Sequence, residues 1–150
     1  MSSKFSNIHA LLIGINQYTG PKLKPLIHAA KDAERLKAAL IEIGAKEENI
    51  VLLQDEHATK VNILEKVKAL GTNESKVNRG DPIVFFFSGY SGKTTLDVKD
   101  VGVLCPQDVD SAGGIGDFYL QESFDIIART RGNNIVRKVW LRVIFDWSYC

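Results

Sequence analysis

The segment IVFFFSGYSG at residues 83–92 joins five strongly β-forming residues to a stretch of serine, glycine and tyrosine. Its apolar part, residues 83–87, has no polar residue in alternation, which is typical of a strand buried on both faces. The turn residues before it and the glycines after it predict that this strand ends at residue 87 and that residues 88–94 form a loop. A strand buried on both faces predicts a sheet with helices packed on each side.

Strands and helices alternate outward from this segment. Apolar runs predict further strands at residues 8–15, 50–53 and 139–145, and a short strand or hairpin arm at 101–104. Apolar residues at three-to-four spacing predict three helices, with buried faces within residues 26–43, 63–70 and 120–127. The alternation predicts an α/β fold with right-handed crossovers and a mainly parallel sheet. No internal repeat or long linker divides the chain, so we expect one domain over residues 1–150.

The composition narrows the classes of function. The 150 residues include 19 Lys and Arg against 18 Asp and Glu, a formal charge of +1, which argues against a dedicated nucleic-acid binder. The apolar runs are too short to span a membrane, and residues 1–7 lack the apolar core of a signal peptide. The two cysteines, Cys105 and Cys150, are too few for a disulfide scaffold. We therefore expect a cytoplasmic protein without a nucleic-acid or membrane partner.

Candidate site residues follow from the rule that ligands of an open parallel sheet bind beyond the carboxyl ends of its strands. Three segments qualify: the helix after the first strand with Asp32, residues 88–94, and residues 146–150. Residues 88–94 end in Gly92-Lys93-Thr94, so a phosphate-binding or nucleotide-binding Rossmann-like domain is one alternative. A phosphate-binding loop needs a glycine at the position of Phe87, and its absence disfavours this alternative.

Five segments together resemble the large-subunit part of a metacaspase, in the caspase-like cysteine peptidase family, and are most similar to its fungal forms. The resemblance runs in order from His9 to Cys150, and its segments are HALLIGINQY at 9–18, KDA at 31–33, VFFFSGYSG at 84–92, LCPQD at 104–108 and VIFDWSY at 143–149. The resemblance implies a caspase-like three-layer α/β/α sandwich with a mainly parallel central sheet, and a role in proteolysis and programmed cell death. Because family domains continue past the nucleophile with further strands, the resemblance also implies an incomplete domain.

Both side chains that perform the chemistry in this family are replaced. Metacaspases use a Cys–His dyad, and position by position the histidine falls on Tyr90 and the cysteine on Ser148. A phenol does not accept a proton near neutral pH as an imidazole does, and a serine hydroxyl is a far weaker acid than a thiol. Loss of nucleophile and base together costs on the order of 10⁶ in turnover in a serine protease. We therefore expect a catalytically inactive, regulatory or binding pseudo-protease.

An active Arg/Lys-specific cysteine peptidase that uses rearranged residues is a second alternative. Cys150 lies two residues after Ser148 and would supply the thiol. The chain has three histidines, and none stands at the position of the family base; they are His9, His28 and His57.

Two acidic residues match the family's substrate pocket. In metacaspases two aspartates hold a substrate Arg or Lys, and by the resemblance these correspond to Asp32 and Asp146. Paired carboxylates hold a guanidinium or ammonium group by charge-assisted hydrogen bonds. The expected partners are therefore segments containing Arg or Lys, an active caspase-like relative, or a separate small-subunit-like half. Many metacaspases depend on Ca²⁺, which stays an open alternative, but no calcium-loop spacing is present, so no cofactor or metal is expected.

Overall fold

A computed structural model describes residues 4–72, 76–132 and 135–146 of the chain, the last range by its backbone. The strands are β1 (His9–Gly14), β2 (Ile50–Gln54), β3 (Ile83–Leu96), β4 (Lys99–Leu104), β5 (Ile115–Gly116) and β6 (Ile135–Asp146). The helices are α1 (Ala29–Glu42), α2 (Lys60–Leu70), α3 (Val109–Ala112) and α4 (Asp117–Arg131). Five of these strands and the three longer helices follow the order that the sequence predicts, whereas the two-residue strand β5 and the short helix α3 were not predicted.

The six strands of the described residues form one sheet. Its order is β2-β1-β3-β4-β5, and β6 pairs with the other edge of β3. The pairs β1–β2, β1–β3 and β3–β6 are parallel, whereas β4 pairs antiparallel with both β3 and β5. The central part is thus parallel, as expected for strands joined by helical crossovers, and one hairpin makes the sheet mixed.

Helices cover both faces of the sheet, which confirms the three-layer α/β/α architecture. On one face, Ala33 and Leu40 of α1 pack in a cluster with Leu12 and Phe86. On the other face, α2 and α4 pack against Phe85 and Phe87 through a second cluster that includes Ile63, Val67, Leu120, Phe124 and Ile127. Successive phenylalanines of β3 therefore enter opposite cores, since side chains of a strand alternate between faces. This explains why residues 83–87 carry no polar alternation.

The predicted loop at residues 88–94 is wrong, because β3 continues through it to Leu96. β1 ends at Gly14, and the next amide, that of Ile15, donates to the Ser88 carbonyl at 3.0 Å. β4 then occupies the edge of β3 that β1 has left, over residues 91–96. Strand neighbours on both edges keep this glycine-containing segment extended.

The same finding removes the phosphate-binding alternative. Gly92, Lys93 and Thr94 lie within β3, each paired with a residue of β4. A phosphate-binding loop would instead lead into a helix whose amide groups face the phosphate. Lys93 is an exposed strand residue.

Within the described parts of the chain, no helix is both long and apolar enough to cross a membrane.

Candidate functional site

The loop between β1 and α1 is held rigidly at the carboxyl end of the sheet. The amides of Asn16 and Gln17 both donate to Oδ1 of Asp55, at 2.8 and 3.0 Å. The side-chain oxygen of Asn16 in turn accepts a hydrogen bond from the Ala30 amide at 3.1 Å, in the first turn of α1. The His28 side chain at the N-cap position makes no capping bond, so Asn16 supplies an acceptor for the helix start from outside the helix.

A close helix–strand contact positions Asp32. A Cβ atom at Gly14 would lie 2.5 Å from the carbonyl oxygen of Ala29, so a glycine is needed where α1 crosses the end of β1. Asp32 lies in the first turn of α1, where the positive end of the helix dipole favours a carboxylate. Its Oδ2 accepts a hydrogen bond from Oγ of buried Ser88 at 3.4 Å. The half-buried Asp32 is thereby tied to β3 two residues before Tyr90.

Tyr90 is a buried part of the fold, with 7% of its surface exposed. Its hydroxyl donates to the backbone carbonyl of Lys24 at 2.9 Å. The ring packs in a cluster with Leu23, Val103, Cys105 and Val109. Both ends of the side chain are therefore engaged within the protein.

Tyr18 connects β3 to Cys105, the residue that follows β4, beside Tyr90. Its hydroxyl accepts a hydrogen bond from the Tyr90 amide at 2.9 Å and donates to the Cys105 carbonyl at 3.2 Å. The two tyrosine rings meet edge to face, with centroids 5.3 Å apart. Burial, the largest influence, raises the pKa of the Tyr18 phenol well above its ordinary value, so the hydroxyl keeps its proton.

Asp146 ends β6, where the strand register sets it beside Lys93. Ser88, the partner of Asp32, pairs instead with Trp140. Lys93 is five residues beyond Ser88 in β3, which corresponds to roughly 16 Å of extended strand. The structure thus brings Asp32 and Tyr90 to the same part of β3 and places the Asp146 backbone farther along it. Ser148 and Cys150 lie outside the described residues.

The three histidines lie at three different places in the fold. His28 is exposed at the N-cap position of α1, and exposed His57 lies 3.5 Å from Glu56. His9 lies at the opposite end of β1, where its Nε2 is 3.1 Å from Oδ2 of Asp81. In the ranges that the structure describes, no three His, Cys, Asp or Glu side chains are grouped closely enough to hold a metal ion.

Tyr18 and Gly89 are two residues of this site to which the sequence pattern assigned no role. A Cβ atom at Gly89 would lie 2.7 Å from the Tyr18 hydroxyl oxygen, so this glycine makes room for the tyrosine. The available signal was the position of Tyr18, four residues beyond the carboxyl end of the parallel strand β1. This end of the sheet therefore presents the Asp32 carboxylate on a fixed helix and the Tyr90 phenol, which is held as a hydrogen-bond donor.

Comparison with known proteins supplies independent findings. The family model described as "Metacaspase, peptidase C14 domain" matches residues 9–150. No curated protein sequence is significantly similar to the chain. Among solved structures, the crystal structure of protein GSU0716 from Geobacter sulfurreducens is similar, with a TM-score of 0.66 and 18% sequence identity. The similarity covers 87% of this chain and 48% of that one, so the chain spans about half the length of that protein. At this identity, the likeness concerns the fold alone.

Proposed function

Because this chain belongs to the metacaspase, peptidase C14, family, we propose that it is a non-hydrolytic member that binds protein segments containing Arg or Lys. It acts as a pseudo-protease, either by holding such a segment or by regulating an active relative. The observation that carries the proposal is the environment of Tyr90.

Tyr90 stands where the family resemblance puts the general base. Its hydroxyl proton is directed to the Lys24 carbonyl, and its ring is packed among apolar side chains. A phenol held in this way supplies no base that could remove a proton from a nucleophile. The residue aligned with the nucleophile, Ser148, is a serine, which depends on such a base more than a cysteine does. These substitutions support loss of hydrolysis with retention of the scaffold.

Asp32 supports retained recognition of basic side chains. It is half-buried at the carboxyl end of the parallel strands, on a helix that Gly14 and Asn16 fix in place. A carboxylate accepts several hydrogen bonds, so the bond from Ser88 is compatible with a guanidinium or ammonium group. Asp146, five strand positions farther along β3, is proposed as a second carboxylate for a longer basic segment.

Hydrolysis is tested with fluorogenic peptides that carry Arg or Lys before the scissile bond. We expect that the unchanged chain does not cleave these peptides by any activity that thiol alkylation inhibits. The double variant Tyr90→His with Ser148→Cys restores the two side chains that the family resemblance puts at these positions. Cleavage by the double variant alone supports the proposal. Cleavage by the unchanged chain that is lost in Cys150→Ala would instead favour a peptidase with rearranged residues.

Binding is tested separately by fluorescence anisotropy with a labelled arginine peptide and its citrulline analogue. The proposal predicts tighter binding of the arginine peptide, and Asp32→Asn weakens it about tenfold because a charge-assisted pair is lost. Glu34→Gln is the matched control because it removes a carboxylate from the same helix. That carboxylate already accepts a hydrogen bond from the Gln54 side chain at 2.9 Å. Equal affinity for the two peptides contradicts the proposal.

A further inference from the structure

A cleft opens at the amino ends of β1 and β2, beneath the last turns of α2. Its volume is about 400 Å³, within the range of small-molecule sites in proteins. The floor is apolar and includes Leu11, Val51, Leu70 and Val77. The cleft lies at the opposite end of β1 from Asp32 and Tyr90, and the six residues of that strand separate the two regions by roughly 17 Å.

The charged residues of the cleft favour an anion. Lys66 and Lys76 both line it and are exposed. Neither ammonium group forms an ion pair with a carboxylate of the described residues. Among the described residues that line the cleft, Glu48 is the acidic one, so the two lysines leave a positive excess around the apolar floor.

A buried histidine adds a polar group to the cleft. His9 lines it and is 6% exposed. Asp81 binds Nε2 of this ring at 3.1 Å and is itself held by the Asn7 side chain at 3.2 Å and the Asn78 amide at 2.8 Å. The ring is therefore fixed, while its Nδ1 has no hydrogen-bond partner within the described ranges. Buried polar atoms are normally hydrogen-bonded, so the unpartnered nitrogen of this cleft-lining ring is open to a hydrogen bond from a ligand or water.

We propose that this cleft binds a small carboxylate that carries an apolar chain. The chain packs on the apolar floor, and the carboxylate lies between the ammonium groups of Lys66 and Lys76. His9, held by Asp81, contributes a polar contact at the amino end of β1. This site is distinct from the proposed peptide-binding end of the sheet and does not depend on it.

The test is a titration of the 150-residue chain with hexanoate, followed by NMR. We expect saturable shifts of the His9 ring signals and of the Leu11 and Val77 amides. Lys66→Met and Lys76→Met each weaken hexanoate binding roughly three- to fivefold, as loss of one exposed charge pair does. Glu48→Gln strengthens binding because it removes a negative charge.

Three controls keep the proposal falsifiable. Hexan-1-ol shares the apolar chain and must bind more weakly than hexanoate. Lys99→Met, on β4, removes a lysine elsewhere and must leave hexanoate binding unchanged. Ala69→Phe places a ring at an exposed position of the cleft, and it must abolish the shifts without lowering the melting temperature. Equal binding of the alcohol, unchanged binding in both lysine variants, or normal binding in Ala69→Phe each overturns the proposal.

Discussion

The hydroxyl of Tyr18 lies 2.9 Å from the backbone nitrogen of Tyr90 and takes the place of a strand neighbour there. The pairing of β1 with β3 ends at Ser88. The amide of Cys105, the residue after β4, donates to the Tyr90 carbonyl at 3.0 Å. The Tyr90 amide falls between these two strands, and the Tyr18 phenol accepts its hydrogen bond. A side chain thus completes the hydrogen bonding of the sheet at Tyr90.

Tyr18→Phe should lower the free energy of unfolding by about 1–3 kcal/mol. The substitution keeps the ring but leaves the Tyr90 amide and the Cys105 carbonyl without their partner in a largely buried place. Urea unfolding followed by circular dichroism measures the change. Tyr119→Phe on α4 is the control, because Tyr119 is 46% exposed and should change stability very little. Equal effects of the two substitutions would contradict the assignment.

The same phenol should make stability depend on alkaline pH. Burial raises the pKa of Tyr18 in the folded chain, whereas in the unfolded chain the phenol ionises near pH 10, the ordinary value for tyrosine. Its contribution is therefore present below about pH 10 and is lost above that value, by up to about 1.4 kcal/mol per pH unit. Urea unfolding at a series of alkaline pH values should show the stability gap between the unchanged chain and Tyr18→Phe narrowing. A gap independent of pH argues against a buried phenol.

Gly89→Ala should destabilise the fold by about 1–3 kcal/mol, since overpacking forces neighbours to move. The added Cβ would lie 2.7 Å from the Tyr18 hydroxyl oxygen and 3.2 Å from the Phe87 ring. Thermal unfolding measures the loss. Gly102→Ala, whose Cβ would meet Asp117 at an ordinary 3.7 Å, is the matched control.

A double-mutant cycle identifies the contact. Part of the cost of Gly89→Ala should disappear in a Tyr18→Phe background, because the clashing oxygen is gone. Full additivity of the two substitutions would show that the Phe87 ring alone causes the loss.

Val98→Gly should stabilise the β3–β4 hairpin. Leu96 pairs with Lys99 across a two-residue turn in which Asp97 and Val98 have φ of 48° and 65°. A β-branched residue with a positive φ is strained by about 1–2 kcal/mol. Val98 is 97% exposed, so packing does not offset this strain. Glycine relieves the strain but loses about 0.5–1 kcal/mol of chain entropy, so the net gain is up to about 1 kcal/mol.

The melting temperature measures this gain. The same exchange at exposed Val61, near the start of α2, should instead lower stability by a few tenths of a kcal/mol because glycine disfavours a helix. A loss of stability at position 98 would exclude backbone strain in the turn.

The amino-acid sequence by itself determined the α/β alternation, the burial of residues 83–87 of β3 on both faces and the metacaspase resemblance that the family match confirms. These features depend on local periodicity and on residue types at fixed spacing, which are present before folding. Only the tertiary structure decided that β3 extends to Leu96, because whether Ser88 and Gly89 are loop or strand depends on which strand occupies the neighbouring edge. It likewise brought Tyr18 to Tyr90, 72 residues away along the chain, since such contacts follow from strand order and not from spacing.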